Sequence, residues 1–146
     1  MDPFLLAAIE EAEESQLEGG LPIGAVLEHR GVVIGRGRNR QIQHGRVLLH
    51  AEIDALENAG RLTPETYRDS TLYVTQAPCP MCCGAILRLG IPRVVIGEAH
   101  HYAGATALLH AAGVQVEVVD DGVCRRLVDD YRALHPEIWR ELCAGA

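Results

Sequence analysis

His50-Ala51-Glu52 and, after a strand-like stretch, Pro78-Cys79-Pro80-Met81-Cys82 are the two segments on which the reading of this chain turns. One imidazole and two thiolates form a soft donor set that suits tetrahedral zinc, and three protein ligands leave the fourth position for water. Pro78 and Pro80 flank Cys79, and Met81 to Leu87 reads as helical. Cys79 and Cys82 therefore stand at i, i+3 on one face of a helix N-terminus, where the helix dipole and a metal both favour negative sulfur. Leu48 to Asn58 reads as another helix, opening at the histidine motif and stopping at Gly60. Thr71 to Thr75 is a β-branched strand that leads into Pro78-Cys79. The expected metal centre thus lies where two helices begin.

Glu52 comes two residues after His50. On a helix that places its Cα about 200° around from the ligand face, in two steps of about 100°, so only its longer stem can bring a carboxylate back. A carboxylate that is not a ligand, beside an open zinc position, has little structural purpose. H-x-E followed by P-C-x-x-C is the arrangement of zinc deaminases. There zinc lowers the pKa of its water from about 15.7 toward about 7, giving a hydroxide that attacks the amine-bearing carbon of a heterocycle. Glu52 is then the proton shuttle, taking the proton from water, delivering it to a ring nitrogen and later protonating the departing ammonia. The expected cofactor is one Zn2+ per chain, with a bound water or hydroxide. A redox C-x-x-C pair needs no upstream H-x-E, and a zinc-stabilised binding domain needs no Glu52. Cys83 is rotated about 100° from Cys82 and should face the core. Cys124 and Cys143 have no ligand spacing and read as buried or idle thiols, while His44, His100, His101 and His110 do not join the motif.

The remaining chain supplies a layered α/β pattern. Leu5 to Leu17 is an amphipathic helix, with Leu5, Leu6, Ile9, Ala12 and Leu17 inward and Glu10, Glu11, Glu13 and Glu14 as a solvated face. Ile23 to Glu28 and Val32 to Gly35 form a hairpin around His29-Arg30-Gly31. Val94 to Ile96 and Val114 to Val119 are strands joined by a helix over Ala103 to Ala112, which implies parallel pairing. Asp121 to Leu134 and Pro136 to Leu142 are helical. The expected fold is a three-layer α/β/α sandwich with a central five-stranded mixed sheet, residues 1–146 forming one zinc-dependent deaminase domain. A chain of 146 residues, 48% hydrophobic, buries about two-thirds of its unfolded surface and needs no disulfide. Five cysteines, an odd number, suit a reducing compartment, and neither a basic leader nor an apolar run of about 18 residues is present, so the expectation is a cytoplasmic protein off the membrane. Net charge is −7 and all 13 cations other than histidine are Arg, which argues against a phosphate backbone as partner and excludes Schiff-base chemistry.

Beyond the zinc motif, Gly19-Gly20-Leu21-Pro22-Ile23-Gly24, Arg36-Gly37-Arg38-Asn39, Leu56-Glu57-Asn58-Ala59-Gly60-Arg61-Leu62, Gly90-Ile91-Pro92-Arg93 and Val118-Val119-Asp120-Asp121 give a match over nearly the whole length. The chain resembles fungal-type cytosine deaminase, within the cytidine deaminase superfamily. The resemblance implies a homodimer with a small heterocyclic substrate, cytosine going to uracil and ammonia as the first expectation. It implies that Asn39 hydrogen-bonds the base carbonyl beside the Ala51 backbone N–H, Ile23 forms a wall, Tyr102 stacks and Trp139 closes over the base. Without it, Asn39 reads as a turn residue and Trp139 as a core or interface aromatic. The departures bear on substrate. Three residues after its Trp the fungal family has an acid, paired with a His before the Asn; here those places hold Leu142 and Arg38. Gln76 replaces an apolar residue and Tyr102 a Phe. Two expectations follow: Glu141 enters the pocket by a slip of the C-terminal segment, or it pairs with Arg38 while Gln76 reads the base. Guanine, isocytosine, creatinine and triazine types are the alternative substrates, and a tRNA adenosine deaminase, which shares the zinc motifs, stands behind them.

Overall fold

The computed structural model describes residues 1–143 of the 146. Helix α1 (Pro3–Leu17) starts on Asp2, whose carboxylate accepts the Phe4 N–H at 2.8 Å, with Pro3 at the first helical position. The hairpin β1 (Gly24–His29) and β2 (Val32–Arg38) follows, then α2 (Gln41–His44), α3 (Ala51–Ala59) and α4 (Pro64–Arg68). The rest alternates: β3 (Ser70–Gln76), α5 (Pro80–Leu89), β4 (Arg93–Glu98), α6 (Thr106–Ala111), β5 (Gln115–Val118), and finally α7 (Gly122–Leu134) and α8 (Pro136–Cys143). The strands form one five-stranded sheet in the order β2-β1-β3-β4-β5. β1 is antiparallel to both its neighbours, whereas β3–β4 and β4–β5 are parallel, as their helical crossovers require.

Strand periodicity assigns the two faces. Ala25, Leu27, Leu72, Val74, Val94 and Ile96 pack with Ala51, Ala55, Cys83, Ile86 and Leu109, under α3, α5 and α6. Their alternates Val26, Tyr73 and Val95 pack with Leu5, Ala8, Ile9 and Cys124, under α1 and α7. The expected three-layer α/β/α sandwich around a mixed sheet is the architecture found. Among the described residues no helix is long and apolar enough to cross a membrane.

Several expectations are corrected. Glu11 does not belong to a solvated face: it is 7% exposed, and its two oxygens each accept from an arginine on β2, Arg36 Nε and Arg38 Nε, both at 3.0 Å. Leu6 and Leu17, expected inward, are exposed, because α1 lies on the sheet through the small side chains Ala7, Ala8, Ala12 and Ser15. The helix expected from Leu48 starts at Ala51, since His50 has extended backbone (φ −70°, ψ 162°). α2 and α4, of four and five residues, are too short to show a helical period.

Helix α3 lies against β2 at closest backbone approach. A Cβ added to Gly37 would sit 2.1 Å from Ala55 N and 2.7 Å from Ala51 O, so only glycine lets the helix carrying Glu52 come this near. Asp54 Oδ2 reinforces the contact, accepting from Arg38 N and Arg40 Nε at 3.0 Å each. Gly37→Ala is expected to cost about 3 kcal/mol through overpacking against backbone that cannot give way. Urea denaturation at constant zinc measures it, and a loss within experimental error would place the helix elsewhere.

Candidate active site

His50 caps the N-terminus of α3 and Cys79 that of α5, with Cys82 in the first turn of α5. Extended backbone at both caps (ψ 162° and 172°) turns the two side chains toward each other. His50 Nδ1 lies 3.5 Å from Cys79 Sγ and 3.7 Å from Cys82 Sγ, and all three donor atoms fall within 4.8 Å of one another. Tetrahedral zinc with bonds of about 2.3 Å to sulfur and about 2.05 Å to nitrogen holds N and S about 3.6 Å apart, so the donor set fits the metal.

The same cluster sets the protonation states. A hydrogen bond from Cys82 chiefly, helped by His50 and opposed by burial, brings the Cys79 thiol down to about 4. The shared hydrogen bond and burial push Cys82 the other way, so without metal the pair holds one proton and one negative charge. Burial disfavours charge on His50, but Cys79 and Glu52 outweigh it and raise its pKa. Glu52 is 4% exposed, and burial raises its pKa against the pull of His50, which makes it a carboxyl able to hold and release a proton. One labelling pattern is expected to follow. At about pH 6, metal-free protein takes up iodoacetamide at Cys79 alone, because burial holds Cys83 and Cys143 at about 11 and 12. Zinc should abolish the reaction; peptide mapping that found equal labelling of Cys82 would contradict this charge distribution.

The cluster opens into a cavity of about 730 Å³. Ile23, Asn39, Ala51, Glu52, Gln76, Tyr102 and Trp139 all line it, together with His50 and Cys79. Glu141 does not; it is exposed on α8, while Trp139, Leu142 and Cys143 face the cavity. Helix geometry is the reason, because i, i+3 and i+4 share a face and i+2 lies about 200° away. The expected slip is absent, and so is a Glu141–Arg38 pair: Arg38 is held by Glu11 at 3.0 Å and Glu18 at 3.1 Å. Cys83 and Cys124 are buried in the two cores as expected.

Asn39 is a turn residue, as the local sequence predicts. Its Oδ1 accepts the Gln41 N–H at 3.1 Å, an Asx turn, and its Nδ2 donates to Gln41 Oε1 at 2.9 Å, leaving one amide hydrogen free. Gln41 is fixed in turn by donating to Val47 O at 2.6 Å. Sequence reasoning missed Gln41, although the Asn39-x-Gln41 spacing permitted the turn. It also missed Glu98, which is fully buried behind Gln76. Glu98 accepts from His100 N at 2.7 Å, His101 N at 3.3 Å, His101 Nδ1 at 3.2 Å and Gln76 Nε2 at 3.4 Å. His101 Nε2 lies 2.5 Å from Asp129 Oδ1 on α7, and that hydrogen bond holds Asp129 below the usual carboxylate range. No local motif marks this chain, since its members come from three elements.

Residues 2–98 match the cytidine and deoxycytidylate deaminase zinc-binding region. The chain belongs to the cytidine and deoxycytidylate deaminase family. It is a zinc-dependent aminohydrolase by family and by its His/Cys/Cys triad. Among relatives of this family, a cytosine deaminase from Candida albicans is 43% identical over 138 residues, 94% of this chain and 92% of its own. A tRNA-specific adenosine deaminase from Streptococcus pyogenes is 38% identical over 108 residues, 72% of this chain and 67% of its own. The structure of a guanine deaminase from Bacillus subtilis superposes with a TM-score of 0.57 at 32% identity, covering 78% of this deaminase and 70% of that one.

Proposed function

We propose that this deaminase acts on a small heterocycle whose amine sits on a carbon flanked by two ring nitrogens, as in guanine, isocytosine, creatinine and aminotriazines. The observation that carries the reading is the exchange of polar groups around the cavity. Leu142 stands where the resembling fungal family has an edge-reading acid, and Gln76, three residues before Cys79, brings an amide to the wall beside the metal ligands. With its Nε2 directed to Glu98, Gln76 keeps Oε1 as an acceptor for a ring N–H near the reacting carbon. A buried polar group of this kind rejects substrates that leave it unpaired. The likeness to the guanine deaminase supports the same choice.

His50, Cys79 and Cys82 would hold zinc, which when bound would supply an activated water at neutral pH. The chain does the rest. Asn39 Nδ2 donates its free hydrogen to a ring carbonyl, and the Ala51 N–H, in the first turn of α3 where no intrahelical acceptor exists, donates beside it. Glu52 carries one proton from water to the ring nitrogen and then a second, from the hydroxyl formed on the attacked carbon, to the leaving amine. Ile23, Tyr102 and Trp139 supply apolar and aromatic walls that exclude bulk water. The net charge of −7 and the helix α8 across the cavity favour a free heterocycle over a polynucleotide.

Cytosine is the second reading, favoured by the Candida albicans relative. Ammonia release by zinc-loaded protein on guanine, isocytosine, creatinine, an aminotriazine, cytosine, adenine and cytidine separates the two. The highest kcat/KM is expected within the first four, with Gln76→Leu lowering it. Cytosine ahead of all of them by about tenfold, a difference of about 1.4 kcal/mol, would overturn the substrate assignment.

A further inference from the structure

β3 and β4 end side by side at the cavity. Gln76 and Glu98 are register partners in this parallel pair, so their side chains leave the same face of the sheet. Only Gln76 of the two lines the cavity. Glu98 has no exposed surface, so its oxygens are satisfied within the protein. Its contacts fix which atoms donate. Oε2 takes the backbone N–H groups of His100 and His101 at 2.7 and 3.3 Å, and these can only donate. Oε1 faces His101 Nδ1 at 3.2 Å and Gln76 Nε2 at 3.4 Å. On the far side of the ring, the hydrogen bond from His101 Nε2 holds Asp129 below the usual carboxylate range, so Asp129 accepts and Nε2 carries a hydrogen. Two bare acceptors would repel across the buried Nδ1–Oε1 contact, so one proton lies between them. On either atom that proton is used within the contact. Oε1 is left in both cases as an acceptor toward Gln76, and a reversed Gln76 amide would set oxygen against oxygen.

We propose that Glu98 is a specificity-determining positioning residue: by accepting from Gln76 Nε2 it turns Gln76 Oε1 into the cavity, and the enzyme thereby prefers heterocycles with N–H, rather than a bare nitrogen, beside the amine-bearing carbon. The preference rests on the reading that Gln76 Oε1 meets a ring N–H of the substrate. Glu98 itself touches no substrate. Its own partners come from the loop after β4, and through His101 from α7, so a setting felt in the cavity is held from outside it. An isosteric change should reverse the setting. In Glu98→Gln the two backbone N–H groups still require an oxygen at the place of Oε2, so the new amide puts its NH2 at the place of Oε1. One of its hydrogens goes to Nδ1, now a lone pair, while Nε2–H stays on Asp129. The other goes to Gln76, whose amide has to turn over to accept it. Gln76 then offers N–H to the cavity, and the favoured neighbour of the reacting carbon becomes a bare ring nitrogen.

Zinc-loaded parent and E98Q are compared on three substrates. Isocytosine has N–H on one side of its amine-bearing carbon, 5-azacytosine has bare nitrogen on both sides, and cytosine has C–H on one. For each, kcat/KM of E98Q is divided by that of the parent, so intrinsic reactivity cancels. The quotient for 5-azacytosine is expected to exceed that for isocytosine by roughly ten- to hundredfold, with cytosine between them, as unpaired buried polar groups dictate. A merely structural role would lower all three alike. Equal quotients, whether from a uniform loss or from no change, overturn the proposal. A second readout needs neither turnover nor a change at Glu98. By nuclear magnetic resonance of the nitrogen-labelled, zinc-loaded parent, the Gln76 side-chain NH2, assigned by its disappearance in Q76L, should show through-space contacts to the His101 ring and backbone hydrogens. Their absence overturns the assigned amide sense even where E98Q fails to fold. If cytosine leads in the parent, or no heterocycle reacts, the substrate reading falls, and the NH2 contacts still decide whether Glu98 orients Gln76.

Discussion

Glu52→Gln, loaded with zinc, is expected to keep one metal per chain and to lose on the order of 10³-fold in kcat, within the range that positioned acid–base groups contribute. The substitution is nearly isosteric at a position only 4% exposed, and Glu52 is outside the His50/Cys79/Cys82 donor cluster, so neither packing nor metal binding should suffer. An amide can still occupy the space but cannot accept a proton from water or return one to the leaving amine. The measurement pairs kcat at saturating substrate with zinc content by atomic emission. A rate within tenfold of the parent at full zinc occupancy would move the proton shuttle to another group.

Glu98→Ala carries the largest expected loss of stability, about 3–5 kcal/mol, the range for breaking a buried ionic contact from one side. Glu98 has no exposed surface, and removing its carboxylate leaves His101 Nδ1, two backbone N–H groups and the Gln76 amide without an acceptor. Asp129→Ala removes the other partner of the same imidazole, but that carboxylate is 58% exposed and water replaces it, so a much smaller loss is expected. Guanidinium denaturation of both variants at fixed zinc tests the contrast. Equal losses would mean that the buried end of the bridge is no more important than the wet one.

The zinc centre and the sheet were legible because each rests on short-range grammar. Thr71 to Thr75 and Val94 to Ile96 are β-branched runs with alternating faces, and His50, Cys79 and Cys82 sit at helix starts, one flanked by Pro78 and Pro80 and the other belonging to a helix that Gly60 stops. The orientation of α8 was not legible, because a one-residue slip along a helix turns a side chain by about 100°, and only packing decides which face lies inward. Glu141 was expected in the cavity on that ground and faces solvent instead. Glu11 failed for a related reason: its neighbours in sequence are exposed acids, whereas its partners Arg36 and Arg38 lie 25 and 27 residues away. Glu98 was passed over because a carboxylate at the end of a strand carries no signal of burial until His101 and Gln76 are brought to it.

The cavity has a seam. Every group proposed for the reacting end, together with Gln41 beside Asn39, falls within residues 2–98, the stretch shared with the family: Asn39, His50, Ala51, Glu52, Gln76, Cys79 and Cys82. Every group of the opposite side, from His101 and Tyr102 through Asp129 and Arg132 to Trp139, Arg140 and Leu142, falls after it. The seam follows from connectivity, since the chain leaves β4 only after both zinc helices are set against the sheet and returns as α7 and α8 to roof the opening. The zinc ligands, Glu52, Asn39 and Gln76 are therefore written in one passage of the chain, and the far wall of the cavity in the next. A lineage can redraft the second without touching the first, and new diets can arise among such enzymes while the bond they break stays the same.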